Sequence, residues 1–183
     1  MVEQLRRLFL GVPLDDGVRA MLTRHLHQHH VPGRRVPPEN WHLTVRFLGA
    51  VDQLAMERLI AELDQTDLGR PFEMALGALG AFPRPAKASV VWLALDKGGE
   101  RLIELNEAGE EASQAAGLAA EERPFAPHLT LSRIRPELDV RADLARYRRI
   151  PFQWTAGELV LYESRTGPSG VVYEPVERFP FGS

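Results

Sequence analysis

The chain has 183 residues and a formal net charge of −3, with 44% hydrophobic and 26% charged residues. That balance fits a globular chain rather than a disordered one, and the length fits one domain or two tightly joined lobes. Cysteine is absent, which excludes a disulfide framework, a thiolate metal site and a cysteine nucleophile together. The longest apolar runs, such as SVVWLAL at 89–95, fall far short of the ~20 residues that span a bilayer. The first residues, MVEQLRRLFLGVPLDD, carry too short an apolar stretch for a signal peptide and no small-residue cleavage site. The expectation is a cytoplasmic protein without membrane association. The slight negative balance argues against a broad grip on long nucleic acid. Positive charge is carried by 20 Arg and 2 Lys spread along the chain. Arg suits forked contacts to phosphate, and a GC-rich coding bias accounts for the same spread.

The elements alternate. Residues 7–12 (RLFLGV) read as a strand. Asp15 or Asp16 then caps a helix whose apolar stripe is Val18, Met21, Leu22 and Leu26. PGRRVPPEN, 32–40, is a loop by its prolines and glycine, and WHLTVRFLG, 41–49, a strand. Asp52 caps a second helix with Met56, Leu59, Ile60 and Leu63 on one face. Two strands, 72–79 and 88–95, are joined by the proline-rich GAFPRPAKA. A helix covers 99–117, EERPFAP is a loop, 128–134 (HLTLSRI) is a strand, and 138–147 forms a short helix. The end reads as a hairpin: GELVLYES, a turn through GPSG, then VVYEPVERF. The second half therefore echoes the first, and duplicated α+β lobes are the expected architecture.

The clearest echo is His-Leu-Thr at 42–44 and again at 128–130, each after a proline-containing loop. Alternate side chains of a strand share a face. His42 and Thr44 then point one way and Leu43 and Val45 the other. His128 and Thr130 oppose Leu129 and Leu131 in the same manner. Lobes packed about a pseudo-twofold axis would bring two imidazoles and two hydroxyls to one cleft. Such a cleft suits phosphoester chemistry without a metal or cofactor. Two histidines near pKa 6.5 can hold opposite protonation states at neutral pH. One takes a proton from the attacking oxygen and the other protonates the leaving oxygen. The hydroxyls can donate to the non-bridging phosphate oxygens. Spacing alone leaves open which histidine plays which part.

Other candidates carry less. His25, His27, His29 and His30 cluster near the end of the first helix, and His25 and His29 sit four apart, a spacing that can ligate a metal. No cysteine or carboxylate completes the set nearby, so no metal site is expected and a solvated helix end is the preferred reading. Glu110, Glu111, Glu121 and Glu122 lack the fixed geometry of paired-carboxylate catalysis. No G-x-x-x-x-G-K-[ST] loop is present, which excludes an ATP-dependent ligase or kinase of that type.

With its paired His-x-Thr-x elements the chain resembles the 2H phosphoesterases. Within them it is similar to the RNA 2′,3′-cyclic phosphodiesterases, historically called 2′-5′ RNA ligases. The likeness extends over RLFLGVPL at 7–14, VPPENWHLTVRFLG at 36–49, LGAFPRP at 79–85, RPFAPHLTLSRIR at 123–135 and ELVLYESRTGPSGVVYEPVERFP at 158–180. It implies a single bilobal α+β domain over 1–183, with an antiparallel sheet and outer helices in each lobe and the active cleft between them. It implies His42 as proton donor to the leaving 3′ oxygen, His128 as the base that activates water, and 2′-phosphate products. Thr44 and Thr130 match phosphate-holding threonines. Arg133 matches a position expected near the phosphate or terminal base, although strict alternation places it opposite His128 unless the strand bulges.

Phe9 and Phe47 are candidate walls for the terminal base, with core packing as the competing role. Arg46 shares a face with His42 and Thr44 by parity and is a candidate for the RNA backbone. The implied partners are RNA ends or nucleotides bearing a 2′,3′-cyclic phosphate, with no obligate protein partner. The alternatives are a 2′-5′ RNA ligase or 2′-5′ phosphodiesterase, a cyclic nucleotide phosphodiesterase, and a non-catalytic module that binds RNA ends.

Overall fold

The computed structural model describes residues 5–149 and 152–182. In chain order the elements are β1 (Arg6–Pro13), α1 (Asp16–His27), β2 (Arg34–Arg35), a 3-10 turn (Pro38–Asn40), β3 (His42–Val51), α2 (Gln53–Gln65), β4 (Phe72–Arg84), β5 (Lys87–Lys97), α3 (Gly99–Ala115), β6 (Leu129–Leu138), α4 (Arg141–Arg146), β7 (Gln153–Ala156), β8 (Glu158–Gly167) and β9 (Gly170–Pro180). Both expected caps form. The Asp15 carboxylate accepts from the Val18 N–H at 3.1 Å, and that of Asp52 from Ala55 N–H at 2.8 Å, each satisfying an orphan donor of the first helical turn. Along α2, Met56, Leu59 and Leu63 are buried as the spacing requires. Along α1 the buried stripe is Val18, Leu22, His25 and Leu26, while Met21 is 43% exposed. His25 is therefore a core histidine. Its Nε2 meets the Arg148 carbonyl at 2.9 Å, and its ring lies among His29, Tyr147 and Phe152.

Two antiparallel sheets form, ordered β3-β1-β8-β9 and β2-β6-β5-β4-β7. This agrees with the expected α+β class and corrects the expected division into halves. The first sheet takes strands from both ends of the chain, and the second takes the middle together with β2, which lies in the chain between β1 and β3. What repeats is a smaller unit. β1–α1–β3 and β5–α3–β6 each run strand, helix, antiparallel motif strand. Two further differences have local causes. The proline-rich link between β4 and β5 continues both strands up to a tight turn at 85–86, and a register shift at Phe82/Pro83 accommodates the residue that cannot donate to the ladder. β7 is only four residues long, too short to show a period, and pairs with β4 at the sheet edge.

Register decides which side chains share a face. In β3, Thr44 lies opposite Gly11 but Arg46 lies opposite Leu10, so Val45 is an extra residue. In β6, Thr130 lies opposite Trp92 but Ser132 lies opposite Val91, so Leu131 is an extra residue. Each motif strand thus slips by one residue directly after its threonine. A one-residue slip exchanges the two faces as far as the next slip, which in β3 comes at Leu48, after Phe47.

The slip overturns the parity argument for Arg46. Its side chain turns inward, the residue is 4% exposed, and it bonds Glu110 of α3, the Phe47 carbonyl and, at 2.6 Å, the Ala119 carbonyl. Glu110 also accepts the Glu121 N–H at 3.2 Å. The loop between α3 and β6 is thereby tied to β3. Losing one partner of an enclosed ion pair strands the other. Arg46→Met should lower unfolding stability by roughly 2–4 kcal/mol. Combined with Glu110→Gln, it should cost less than the sum of the two single changes. Urea denaturation measures both, and a stability within about 0.5 kcal/mol of the parent would contradict this role.

Candidate active site

The two histidines are held in the same way. His42 Nδ1 donates to the Asn40 carbonyl at 2.8 Å, and His128 Nδ1 donates to the Ala126 carbonyl at 2.6 Å. Both acceptors stand two residues upstream, in the proline-containing loops. A carbonyl oxygen can only accept, so each Nδ1 carries a proton and each Nε2 keeps the lone pair for chemistry. His42 Nε2 lies 2.7 Å from Thr44 Oγ1. The loop ahead of His42 is itself clamped. Arg19 of α1 donates to the carbonyls of Pro38, Trp41 at 3.4 Å and Leu14 at 3.0 Å. Motif strands β3 and β6 belong to different sheets and come into contact.

Aromatic rings pack against each imidazole. Phe9 stands 4.6 Å from His42 and Tyr173 stands edge-on to it at 5.0 Å, with Tyr162 stacked on Phe9 at 5.1 Å. His128 meets Phe82 edge-on at 5.1 Å and Trp92 at 6.1 Å. Gly80 lets the Trp92 indole lie flat across the sheet, since a Cβ there would stand 2.3 Å from the ring. These surroundings set the electrostatics. Desolvation pushes the His42 imidazole down to about 4, against the Asn40 hydrogen bond, with the charges of His128 and Arg19 acting in the same direction as burial. His128 is also lowered, first by desolvation and then by Arg133, against its bond to Ala126. The expectation of two imidazoles near 6.5 is corrected. Both are neutral in the free protein at neutral pH.

Thr44 and Thr130 are half-buried beside their histidines. The slip in β6 puts Arg133 opposite Val90, hence on the face of Trp92 and Thr130, where it is exposed. The matching slip in β3 puts Phe47 opposite Phe9 and on the face of Thr44, 52% exposed. Arg133 and Phe47 are equivalent, each five residues after its histidine. Arg123 lies 5.9 Å over the Phe47 ring. Phe9 is 3% exposed and offers no open face to a base; it is a support for His42. Arg46 is turned away, as described above. Tyr162, Tyr173, Phe82, Trp92 and Arg19 escaped the sequence reading because each acts from a neighbouring element. The alternation of 88–93 did separate Val90 and Trp92 from Val91 and Leu93, and so carried a signal for Trp92. An apolar cavity of about 220 Å³ opens near these strands, lined by Leu26, Val31, Trp41 and Leu131 among others. Neither motif histidine lines it.

Residues 14–168 match the 2′-5′ RNA ligase superfamily. Two relatives named RNA 2′,3′-cyclic phosphodiesterase cover nearly the whole chain. The one from Archaeoglobus fulgidus is 30% identical, over 94% of this chain and 99% of its own, and that from Escherichia coli is 29% identical, over 95% and 96%. Escherichia coli LigT complexed with 3′-AMP superposes with a TM-score of 0.80 at 25% identity, covering 98% of this chain and 99% of that one. The matched span runs from the end of β1 to the turn after β8 and contains both His-x-Thr elements, so the chain belongs to the 2′-5′ RNA ligase superfamily.

Proposed function

We propose that the protein is a hydrolase that opens 2′,3′-cyclic phosphate ends of RNA to 2′-phosphates. One observation carries the mechanism: the two histidines are held alike, Nδ1 on the carbonyl two residues upstream and Nε2 left for proton transfer. The names of the relatives support the substrate. In this reading His128 Nε2 takes a proton from water as its oxygen attacks phosphorus. The bond from phosphorus to O3′ breaks, and O3′ receives the proton held by His42 Nε2. The two transfers balance without a covalent intermediate, and each is worth roughly 10²–10⁴-fold.

The lowered pKa of His42 gives the sequence of events. The free imidazole is neutral and accepts the Thr44 hydroxyl proton in a hydrogen bond. A bound phosphodiester brings a negative charge, which favours the imidazolium. Once protonated, Nε2 no longer accepts from Thr44 and offers its proton to O3′ instead, and the freed Thr44 hydroxyl turns to donate to a phosphate oxygen. Proton uptake thus accompanies substrate binding. Thr130 donates from the other sheet, Arg133 adds positive charge, and exposed Phe47 offers a face for the terminal base.

Incubation with a 2′,3′-cyclic-ended oligonucleotide tests the reading, and binding without turnover would contradict it. The roles separate by leaving group. His42→Ala and His128→Ala should both be severely slowed on the oligonucleotide. On a p-nitrophenyl phosphodiester, which departs without protonation, His42→Ala should recover much of its rate and His128→Ala should not. Recovery by His128→Ala alone would reverse the roles.

The pH profile gives a second check. kcat/KM reports the free protein, where both imidazoles titrate below their ordinary 6.5. Both limbs of its bell should therefore lie below pH 6.5, and the alkaline limb of kcat should lie higher. A kcat/KM optimum above pH 7 would contradict the desolvated pair. Because imidazoles carry both proton transfers, activity should survive excess EDTA. Loss restored by a divalent ion would overturn that part.

A further inference from the structure

β2 places like charges face to face. Arg34 lies directly opposite Arg133 of β6, an arrangement that weakens a sheet unless something neutralises it. Among the described residues neither has a carboxylate within ion-pairing distance. The backbone that holds them there is nevertheless tightly fixed. Gly33 adopts φ +90°, and a Cβ on it would stand 2.6 Å from the Arg133 carbonyl oxygen, so only glycine permits the approach. The Ser132 hydroxyl donates to the Pro32 carbonyl at 2.6 Å, and Val36 N–H donates to the Leu131 carbonyl at 2.8 Å.

Alternation separates the two arginines of this strand. Arg34 shares the face of Arg133, and through the slip in β6 the face of Thr130. Arg35 points the other way and donates to the His29 carbonyl at 3.0 Å. The Arg34 guanidinium also reaches towards the first sheet. It lies 3.7 Å from where a Cβ on Gly170 would stand, at the tip of the β8–β9 hairpin. A second positive group is therefore fixed one strand beyond Arg133, where the two sheets meet.

We propose that Arg34, with Arg133 beside it, holds the phosphodiester on the 5′ side of the terminal nucleoside, so that the protein prefers an oligonucleotide end to a mononucleotide. This rests on the reading above for where the terminal phosphate sits. A nucleoside whose 2′,3′ phosphate lies at the histidines presents its next negative charge through its 5′ oxygen. That charge exists only if another nucleotide precedes it. Guanidinium groups suit it, since their forked donors match phosphate oxygens.

The test is binding, which needs no turnover. Isothermal titration would compare a pentanucleotide ending in a 2′-phosphate with the corresponding nucleoside 2′-phosphate. Arg34→Gln should weaken the pentanucleotide by about tenfold and the mononucleotide by less than about twofold. Its slope of log Kd against log salt should be shallower by about 0.7, the loss of one phosphate contact on a single strand. Arg35→Gln removes the same charge from the opposite face and should change neither affinity by more than about twofold. Equal weakening of both ligands by Arg34→Gln, no weakening of either, or the same loss from Arg35→Gln would overturn the proposal. Turnover of a cyclic-ended oligonucleotide by the parent protein reports the hydrolase reading separately. A tenfold binding difference without turnover would sink that reading and support the Arg34 site.

Discussion

A one-residue slip after Thr44, and its counterpart after Thr130, sets the layout of the candidate site. Before each slip, alternation turns the histidine and threonine one way and the leucines into the core. After it, the faces exchange. Position +5 from each histidine then rejoins the histidine's face, and position +4 turns inward. Phe47 and Arg133 thereby become open side chains beside the catalytic candidates. Arg46 and Ser132 become enclosed polar groups, and each finds internal partners. Had the ladders been regular, Arg46 would face the cleft and Arg133 would face away.

The inward side chains then do structural work that bears on the site. Arg46 holds the Ala119 carbonyl and Glu110, and Glu110 holds the Glu121 backbone. The strand that carries His42 is in this way attached to the loop that leads to His128. Ser132 does the same for the loop that carries Arg34. Each sheet fixes a segment that serves the other motif or its flank. The rings around the imidazoles add a low-dielectric setting, in which an anionic substrate changes protonation more than it would in water.

Much of this was legible in the sequence. The paired His-Leu-Thr, the caps at Asp15 and Asp52, and the terminal hairpin rest on local rules of periodicity, capping and turn chemistry, and these hold. Arg133 was legible only as a condition, since a bulge was required and its presence depends on the partner strand. Arg46 was misplaced by that same undetected register. His25 replaced Met21 in the buried face of α1 because its acceptor, the Arg148 carbonyl, lies more than a hundred residues away. The interleaving of the sheets, in which both chain ends build one sheet, is a long-range pairing that no local pattern encodes. The lowered pKa of His42 has the same origin, because Phe9, Tyr162 and Tyr173 come from three different strands.

Two imidazoles with fixed tautomers should then stand neutral until an anion arrives. Ring-nitrogen NMR of His42 and His128, followed across pH with and without a nucleoside 2′-phosphate, tests it most directly. Both rings should show the Nδ1–H tautomer, and the His42 ring should stay neutral at pH 6 in the free protein, with a rise in its titration midpoint when the nucleotide is added. An Nε2–H tautomer at either ring, or a His42 midpoint that does not move with the anion, would contradict it.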